Sequence, residues 1–550
     1  MDFKKHLLAL LLFSLICLGF FFINLDDFFV SDDFDWVHLT ANSDKPITSY
    51  FFSNYHGENQ GGSYRPLMNL AFWVDYNLWN LNPLGYHLNN LTFYILTAWL
   101  IYLIVHKLSC RHSKRRLLAI ISGTIFCLTP NHAEVAIWLS GRGDVISTFF
   151  YLLAFYTYIN FRDSKKKGLL AVSLISFCLS LLAKEMAITL PALILIYEVF
   201  RASRDKLKAN FKVILYPAVY ALIVLVFFII RYLAIGLTTG YYASDQLSFT
   251  LSKSYSMLLN LFSDSLLFFQ TRLEFVYFFQ NKHLIFLVAL ALLIYLSIKL
   301  FKKHQLEISF WWTFYFISMI PVAGLLFGIV NDEGERYNYL PSVAFSVILA
   351  MIIVKFFRKK LIFYPLLIIT LSYFGYQTVQ KSLAWQTASE VSKQVINDLP
   401  KVVSWDKASE EQIIAFALPD SYKGAHLLRN GFREGLELLY PGKDFNLTLL
   451  PISLLLDKDN LGRENIDWQI IEDGLFGTSV DGNFIVTSHL ARKENDDYYF
   501  ELWNYNYQNY TADTVKIKFK GEFLEKIKSR KTYFVTFNKG RLISLPLLID

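Results

Sequence analysis

The sequence predicts a polytopic α-helical membrane protein with about eleven spanning helices and a C-terminal extracytoplasmic α+β domain. Three observations predict it. The 550 residues are 54% hydrophobic and 17% aromatic but only 18% charged, which is more apolar surface than a soluble core of that size buries. Apolar runs long enough to cross a bilayer recur through the first 380 residues. Short clusters of Lys and Arg fall between alternate runs, as the positive-inside rule requires.

In chain order, the first run follows Lys4 and Lys5 and resembles a signal peptide. It is long, however, and no small-x-small cleavage pattern follows, so it is read as a retained span at 7–25. Further spans are expected near 86–106, 117–134, 145–161, 168–183, 186–200, 213–235, 284–300, 308–329, 339–357 and 361–379. With the N-terminus cytoplasmic, the connections HKLSCRHSKRR, RDSKKK, RASRDKLKANFK, KLFKKH and KFFRKK all fall inside, and the opposite orientation fails at each. Segment 250–280 is apolar but interrupted by Asp264, Arg272 and Glu274, and reads as an outer interfacial or re-entrant helix. The division expected is a membrane domain over 1–380, with a first outer loop at 26–85, and an extracytoplasmic domain over 381–550. In the latter, NFIVTSH, YYFELWNYNY, DTVKIKFK and TYFVTFNKG alternate with period two, which predicts helix followed by antiparallel β.

Composition also excludes. Cys17, Cys110, Cys127 and Cys178 lie in or beside apolar segments without CxxC spacing, so no disulfide framework is expected. The net charge of +7 resides in the inner loops, and no nucleic-acid partner is expected. No P-loop or dinucleotide fingerprint is present.

Ionisable residues recur at the outer ends of the spans. SDDFDW places Asp32, Asp33 and Asp35 just beyond the first span, where mutual repulsion raises the pKa of at least one and suits it to general-base work. GGSYRPL carries Arg65 beside an aromatic interfacial stretch. His87 opens the second span, and PNHAEVAIWLSGRGD supplies His132, Glu134, Arg142 and Asp144. LLAKEMAITLP adds Lys184 and Glu185, and NDEGERYNYLPS adds Asp332, Glu333, Glu335, Arg336 and Tyr337. A charge at the bilayer centre costs about 2.5–3.5 kcal/mol on insertion scales, so these groups are expected to line a polar cavity open to the outside. His132 and Glu134 are also a candidate pair of divalent-metal ligands, but the sequence places no third beside them.

These stretches, with GYHLNN and KSLAWQ, resemble in order the motif series of the transmembrane-and-tetratricopeptide (TMTC/PMT-like) O-mannosyltransferases. More broadly they resemble the GT-C glycosyltransferases that use polyprenyl-phosphate-linked sugars, over roughly residues 20–390. The tetratricopeptide repeats of that family have no counterpart, since no 34-residue helical period is present. The resemblance implies a GT-C-like fold and an inverting transferase with mannose as the suggested sugar. It puts Asp33, or its neighbour Asp32, at the catalytic acid position and Arg336 on the donor phosphate. From their place at the outer ends, Arg65, Arg142 or Lys184 are expected to assist. His87, His132, Glu134, Asp144, Glu185, Glu335 and Tyr337 are then the substrate cavity. No cofactor is required, because the lipid phosphate is itself the leaving group. The acceptor is a hydroxyl of a protein, lipid or glycan. The expected location is a prokaryotic plasma membrane, from the short inner loops. The competing readings are a transporter or flippase of lipid-linked sugars, which usually shows internal repeats and polar interruptions at midplane, and a non-enzymatic envelope assembly protein.

Overall fold

A computed structural model describes residues 2–54, 63–206, 212–236, 251–266, 278–279, 282–301, 304–322, 334–456, 466–479, 484–486, 492–505 and 511–545. Arg272, Glu274, Asp332 and Glu333 lie outside the described residues. The helices are α1 (Asp2–Phe21), α2 (Asp32–Asn42), α3 (Pro66–Trp79), α4 (Pro83–Leu108), α5 (Arg115–Cys127), α6 (His132–Ile137), α7 (Arg142–Ser164), α8 (Lys167–Ala183), α9 (Leu190–Asp205), α10 (Lys212–Ile235), α11 (Leu251–Leu266), α12 (His283–Leu300), α13 (Gln305–Met319), α14 (Tyr339–Lys355), α15 (Lys360–Val402), α16 (Phe432–Leu439) and α17 (Gly521–Ser529). The chain forms two compact bodies. One comprises Met1–Leu25, Ser43–Phe327 and Gly334–Ser382; the other comprises Asp26–Asn42, Gly328–Glu333 and Leu383–Asp550.

In the first body, each apolar run expected to span contains a helix. By length and apolarity, though, six helices among the described residues can cross a membrane: Lys4–Asn24, Pro83–Leu108, Glu185–Asp205, Val213–Ile235, Glu335–Lys355 and Lys360–Val402. The remaining runs fall short of that length or apolarity for local reasons. Helix α5 stops at Cys127, just ahead of Pro130, and α13 stops at Met319, just ahead of Pro321. Helix α7 carries Arg142 and Asp144 in its first turn and Arg162 in its last. Starts are set locally as well: Pro83 stands in the first turn of α4, and the Asn82 side chain accepts from the Leu84 N–H.

Helix α7 packs along α8 and α4, α4 against α5, and α14 against α13 and α5. The interior is rich in tyrosine, with Tyr94, Tyr102, Tyr151, Tyr158, Tyr220 and Tyr315 fully buried. By contrast α10 leaves Leu222, Leu225, Ile229 and Leu233 exposed, a face that suits lipid rather than water. Segment 250–280 is helical over Leu251–Leu266, with Asp264 buried and hydrogen-bonded to the Asn338 amide.

The second body holds three sheets, with strands β1 (Gln412–Ala415), β2 (Leu418–Tyr422), β3 (Ala425–His426), β4 (Asn446–Leu449), β5 (Ile452–Leu456), β6 (Ile466–Ile471), β7 (Gly474–Ser479), β8 (Phe484–Val486), β9 (Arg492–Glu494), β10 (Tyr498–Trp503), β11 (Thr514–Phe519), β12 (Thr532–Asn538) and β13 (Arg541–Leu545). Their orders are β13-β12-β1-β4, β6-β7-β11-β10-β9 and β3-β2-β5-β8. All four alternating runs form strands, but the pairing is mixed rather than antiparallel: β1 pairs parallel with both β12 and β4, and β2 with β5. The cause is that β1 and β2 are buried along their whole length, so they carry no alternation to read. The connection from β1 to β4 runs through β2, β3 and α16.

Candidate functional site

In the first body, the ionisable groups at one end of the helices form a connected layer of ion pairs. Arg65 grips Glu185 with two hydrogen bonds, Nη2 to Oε1 at 2.7 Å and Nε to Oε2 at 3.2 Å. The adjacent Lys184 donates to Asp144 Oδ2 at 2.5 Å and lies 5.0 Å over the Tyr337 ring. Arg336 stacks on Tyr337 and Trp138 at 4.8 and 5.2 Å. Its backbone N–H donates to Glu134 Oε2 at 2.7 Å, and its guanidinium donates to Oε1 of the same carboxylate. Glu335 pairs with Lys381, which also reaches Asn131 Oδ1 at 3.3 Å. Arg142 donates to Asp75 Oδ2 at 2.6 Å and to Tyr86 O at 3.2 Å, and its guanidinium covers the Phe72 ring at 4.4 Å.

Glycine makes the close packing of SGRGD feasible. A Cβ on Gly141 would stand 3.2 Å from Glu134 O, and one on Gly143 would stand 3.1 Å from Met68 Sδ.

The layer sorts the four expected phosphate ligands by exposure. The Arg142 side chain is 2% exposed and that of Lys184 6%, each closed over a carboxylate, whereas Arg65 and Arg336 each keep 23%. A partly exposed guanidinium can accept a second anion, and an enclosed one cannot. Of the expected cavity residues, His87 is buried in the second turn of α4. His132 is buried with Nδ1 3.0 Å from Tyr94 O–H and Nε2 2.8 Å from Ser342 Oγ. Both ring nitrogens of His132 and both oxygens of Glu134 are thus engaged, so ligating a metal through this pair would break at least two contacts. Among the described residues no group of three or more His, Cys, Asp or Glu is placed to hold a metal ion.

Asp32, Asp33 and Asp35 belong to the second body, in the first turn of α2. Ser31 N–H donates to Leu427 O at 2.6 Å, and Asn430 Nδ2 donates to Asp32 Oδ1 at 2.6 Å. His38 meets Glu437 at 2.6 Å. Gly431, at φ +78°, lets the turn close: a Cβ there would lie 2.4 Å from Ser31 O. Asp33 is buried, and its Oδ2 accepts from the Val30 N–H at 3.3 Å. The raised carboxyl expected from clustering is Asp35, pushed from 3.8 up to about 8 by burial first, then by the charges of Asp32, Glu434 and Asp33.

Folding therefore makes Asp35 bind a proton that the unfolded chain sheds above pH 3.8, and stability falls as pH rises from about 4 to about 8. Asp35→Asn removes that dependence. Its stabilisation should be small near pH 5 and reach a plateau of about 1–3 kcal/mol above pH 8, after allowing for the water at this half-buried group. Thermal unfolding of wild type and variant across that range checks it; a gain that shrinks with rising pH would refute the assignment.

Sequence reasoning missed Asp75 and Lys381. Asp75 was visible as the single acid in the otherwise apolar and aromatic FWVDYNLW. Lys381 stands within KSLAWQ, at a point where the chain was expected to be leaving the membrane domain.

A helical, lipid-suited body with a layer of paired charges at one helix end, and a separate strand-rich body, define a polytopic membrane protein. Its relatives give the particular resemblance. The chain is 31% identical over 160 residues to protein O-mannosyl-transferase Tmtc1 of Drosophila melanogaster, covering 28% of this chain and 18% of that protein. It is 29% identical over 184 residues to protein O-mannosyl-transferase TMTC3 of Homo sapiens, covering 32% and 20%. A longer match, 24% identical over 414 residues, joins it to a protein O-mannosyl-transferase of Caenorhabditis elegans and covers 70% of this chain and 56% of the other. The chain spans less than two thirds of the length of each. ArnT from Cupriavidus metallidurans bound to undecaprenyl phosphate aligns with a TM-score of 0.42 at 10% identity, over 80% of this chain and 85% of that one. No protein-family model matches the chain. The sequence resemblance to the TMTC O-mannosyltransferases stands on these relatives.

Proposed function

We propose that this chain is a GT-C membrane glycosyltransferase that moves a sugar, mannose by analogy with its relatives' names, from a polyprenyl-phosphate donor to an acceptor hydroxyl. The observation that carries the reading is the similarity to a protein O-mannosyl-transferase along 70% of the chain. The eleven apolar helical segments are assigned as spans, with the N-terminus cytoplasmic and the strand-rich body extracytoplasmic, in a prokaryotic plasma membrane.

In this reading Arg336 and Arg65 hold the donor phosphate, their flat guanidinium faces matching two of its oxygens. Asp33 takes the proton of the acceptor hydroxyl as its oxygen attacks the anomeric carbon from the side opposite the phosphate. The bond to the phosphate oxygen breaks, configuration inverts, and the two arginines stabilise the charge left on the leaving group. Lys184 and Arg142 hold their carboxylates and the helix ends rather than the donor. A metal is not part of the scheme.

The test is turnover by the purified protein in lipid with a panel of radiolabelled polyprenyl-phosphate hexoses. Consumption of one donor with release of polyprenyl phosphate is expected. Folded protein that turns over none of them, yet moves labelled lipid-linked sugar between leaflets, would replace the enzyme with a flippase.

A further inference from the structure

The five-stranded sheet of the second body has two unlike faces. One is the core side, where Leu475, Phe500, Leu502, Val515 and Ile517 are buried. Register fixes the other: Tyr499, Glu501 and Trp503 of β10 stand opposite Lys518, Lys516 and Thr514 of β11, and Lys516 stands opposite Phe476 of β7. Three aromatic side chains, Phe476, Tyr499 and Trp503, therefore share the outward face. Trp503 is 42% exposed and meets Phe476 edge-on with centroids 5.6 Å apart. Tyr499 lies four residues along the same strand, about 13 Å away at the usual strand rise.

The charges on this face cancel among themselves. Lys518 pairs with Asp473 at 2.7 Å, and Lys520 pairs with Glu494. Glu501 stands opposite both Lys516 and Arg492 in register and accepts from the Tyr499 O–H at 2.8 Å, and Asp467 of β6, opposite Thr478 on the same face, is the fourth carboxylate against the four cations. Arg492 and Lys516 in turn lie over the Tyr499 and Trp503 rings at 4.8 and 5.9 Å. A surface that stacked nucleotides or an acidic polymer would carry uncompensated cations beside its rings. What this face offers instead is a set of rings spread along a flat sheet, with donors and acceptors fixed between them and no net charge.

That chemistry suits a neutral polyhydroxylated chain, whose C–H faces lie on aromatic rings while its hydroxyls meet Glu501, Lys516 and Gln469, which stands opposite Phe476 on β6. We propose that the outward face of β6, β7, β11, β10 and β9 is a binding platform for a neutral glycan, anchored by Trp503 and Tyr499. Binding there stands whichever sugar the chain transfers.

The experiment uses the full chain in detergent micelles, with binding to immobilised mannan, dextran and β-1,3-glucan read by interferometry and heparin as the anionic comparison. At least one neutral polysaccharide should bind. Trp503→Ala and Tyr499→Ala should each weaken that binding about tenfold, the size of one lost stacking contact, while Trp503→Phe keeps most of it. Both positions are solvent-facing, and an unchanged unfolding transition verifies each variant's fold. Absence of binding to every neutral polysaccharide, binding confined to heparin, or binding that survives both alanine variants would overturn the platform.

Discussion

Replacing Asp33 by Asn is expected to lower sugar transfer by about two to four orders of magnitude, the usual worth of a positioned general base, in a protein that stays folded. Asp33 accepts the Val30 N–H at 3.3 Å from the first turn of α2. Asparagine keeps an oxygen at that place and removes the basicity. Asp33→Ala removes both, and should add a stability cost of about 1 kcal/mol that the Asn variant lacks. Asp35→Asn is the comparison: its carboxyl, pushed up to about 8 by burial first, is mostly protonated at pH 7, so the rate should fall far less than in Asp33→Asn. Initial rates at matched amounts of folded protein, with the donor found in the panel, decide the matter. Full activity in Asp33→Asn with collapse in Asp32→Asn would move the base to Asp32, whose Oδ1 accepts from Asn430. Activity in all three would remove this turn from the chemistry.

What the sequence could disclose divides along physical lines. Apolar runs announce helices because burial in lipid or in a bundle needs the same side chains, and every expected run contains one. Their ends were less legible. Helix α15 continues to Val402, some twenty residues past the last apolar stretch, because nothing between Gln377 and Asp398 breaks a helix even though the composition turns polar. Strands β10, β11 and β12 could be read from alternation, whereas QIIA and ISLLL, lying in parallel pairings, carry too little pattern to be told from short helix. In the site, which residues matter was visible one motif at a time, but who pairs with whom was not. Arg142 finds Asp75 at 67 positions' separation, and Arg336 finds Glu134 at 202, so each partner is chosen by helix packing rather than by local spacing. The first-loop carboxylates were expected to contain at least one raised group, and which one it is depends first on burial, which no local spacing reveals, and then on the charges of Asp32 and of Glu434, far along the chain on α16.

The second large effect separates structural arginines from functional ones. Arg142 and Asp75 are 2% and 0% exposed and meet at 2.6 Å; Arg65 and Glu185 make an equally short pair at 2.7 Å but keep 23% and 34% exposure. Removing one member of an enclosed pair strands the other charge without water, so Arg142→Ala should destabilise the protein by about 3–5 kcal/mol, as should Asp75→Ala. Arg142 also loses its seat over Phe72 and its bond to Tyr86 O, which pushes its loss toward the top of that range. Changing both at once, Arg142→Met with Asp75→Leu, leaves no orphaned charge and should recover most of the stability. For Arg65→Ala the partly exposed carboxylate of Glu185 is rehydrated, and the stability cost should stay at or below about 1 kcal/mol. Its effect should appear instead as weaker use of the donor, because the guanidinium that remains open to a phosphate is lost. Thermal unfolding in detergent, with the apparent affinity for the donor measured on the same preparations, gives both readings. If Arg65→Ala unfolds the protein while Arg142→Ala leaves it stable and fails on the donor, the two roles are interchanged and exposure is the wrong guide to the phosphate site.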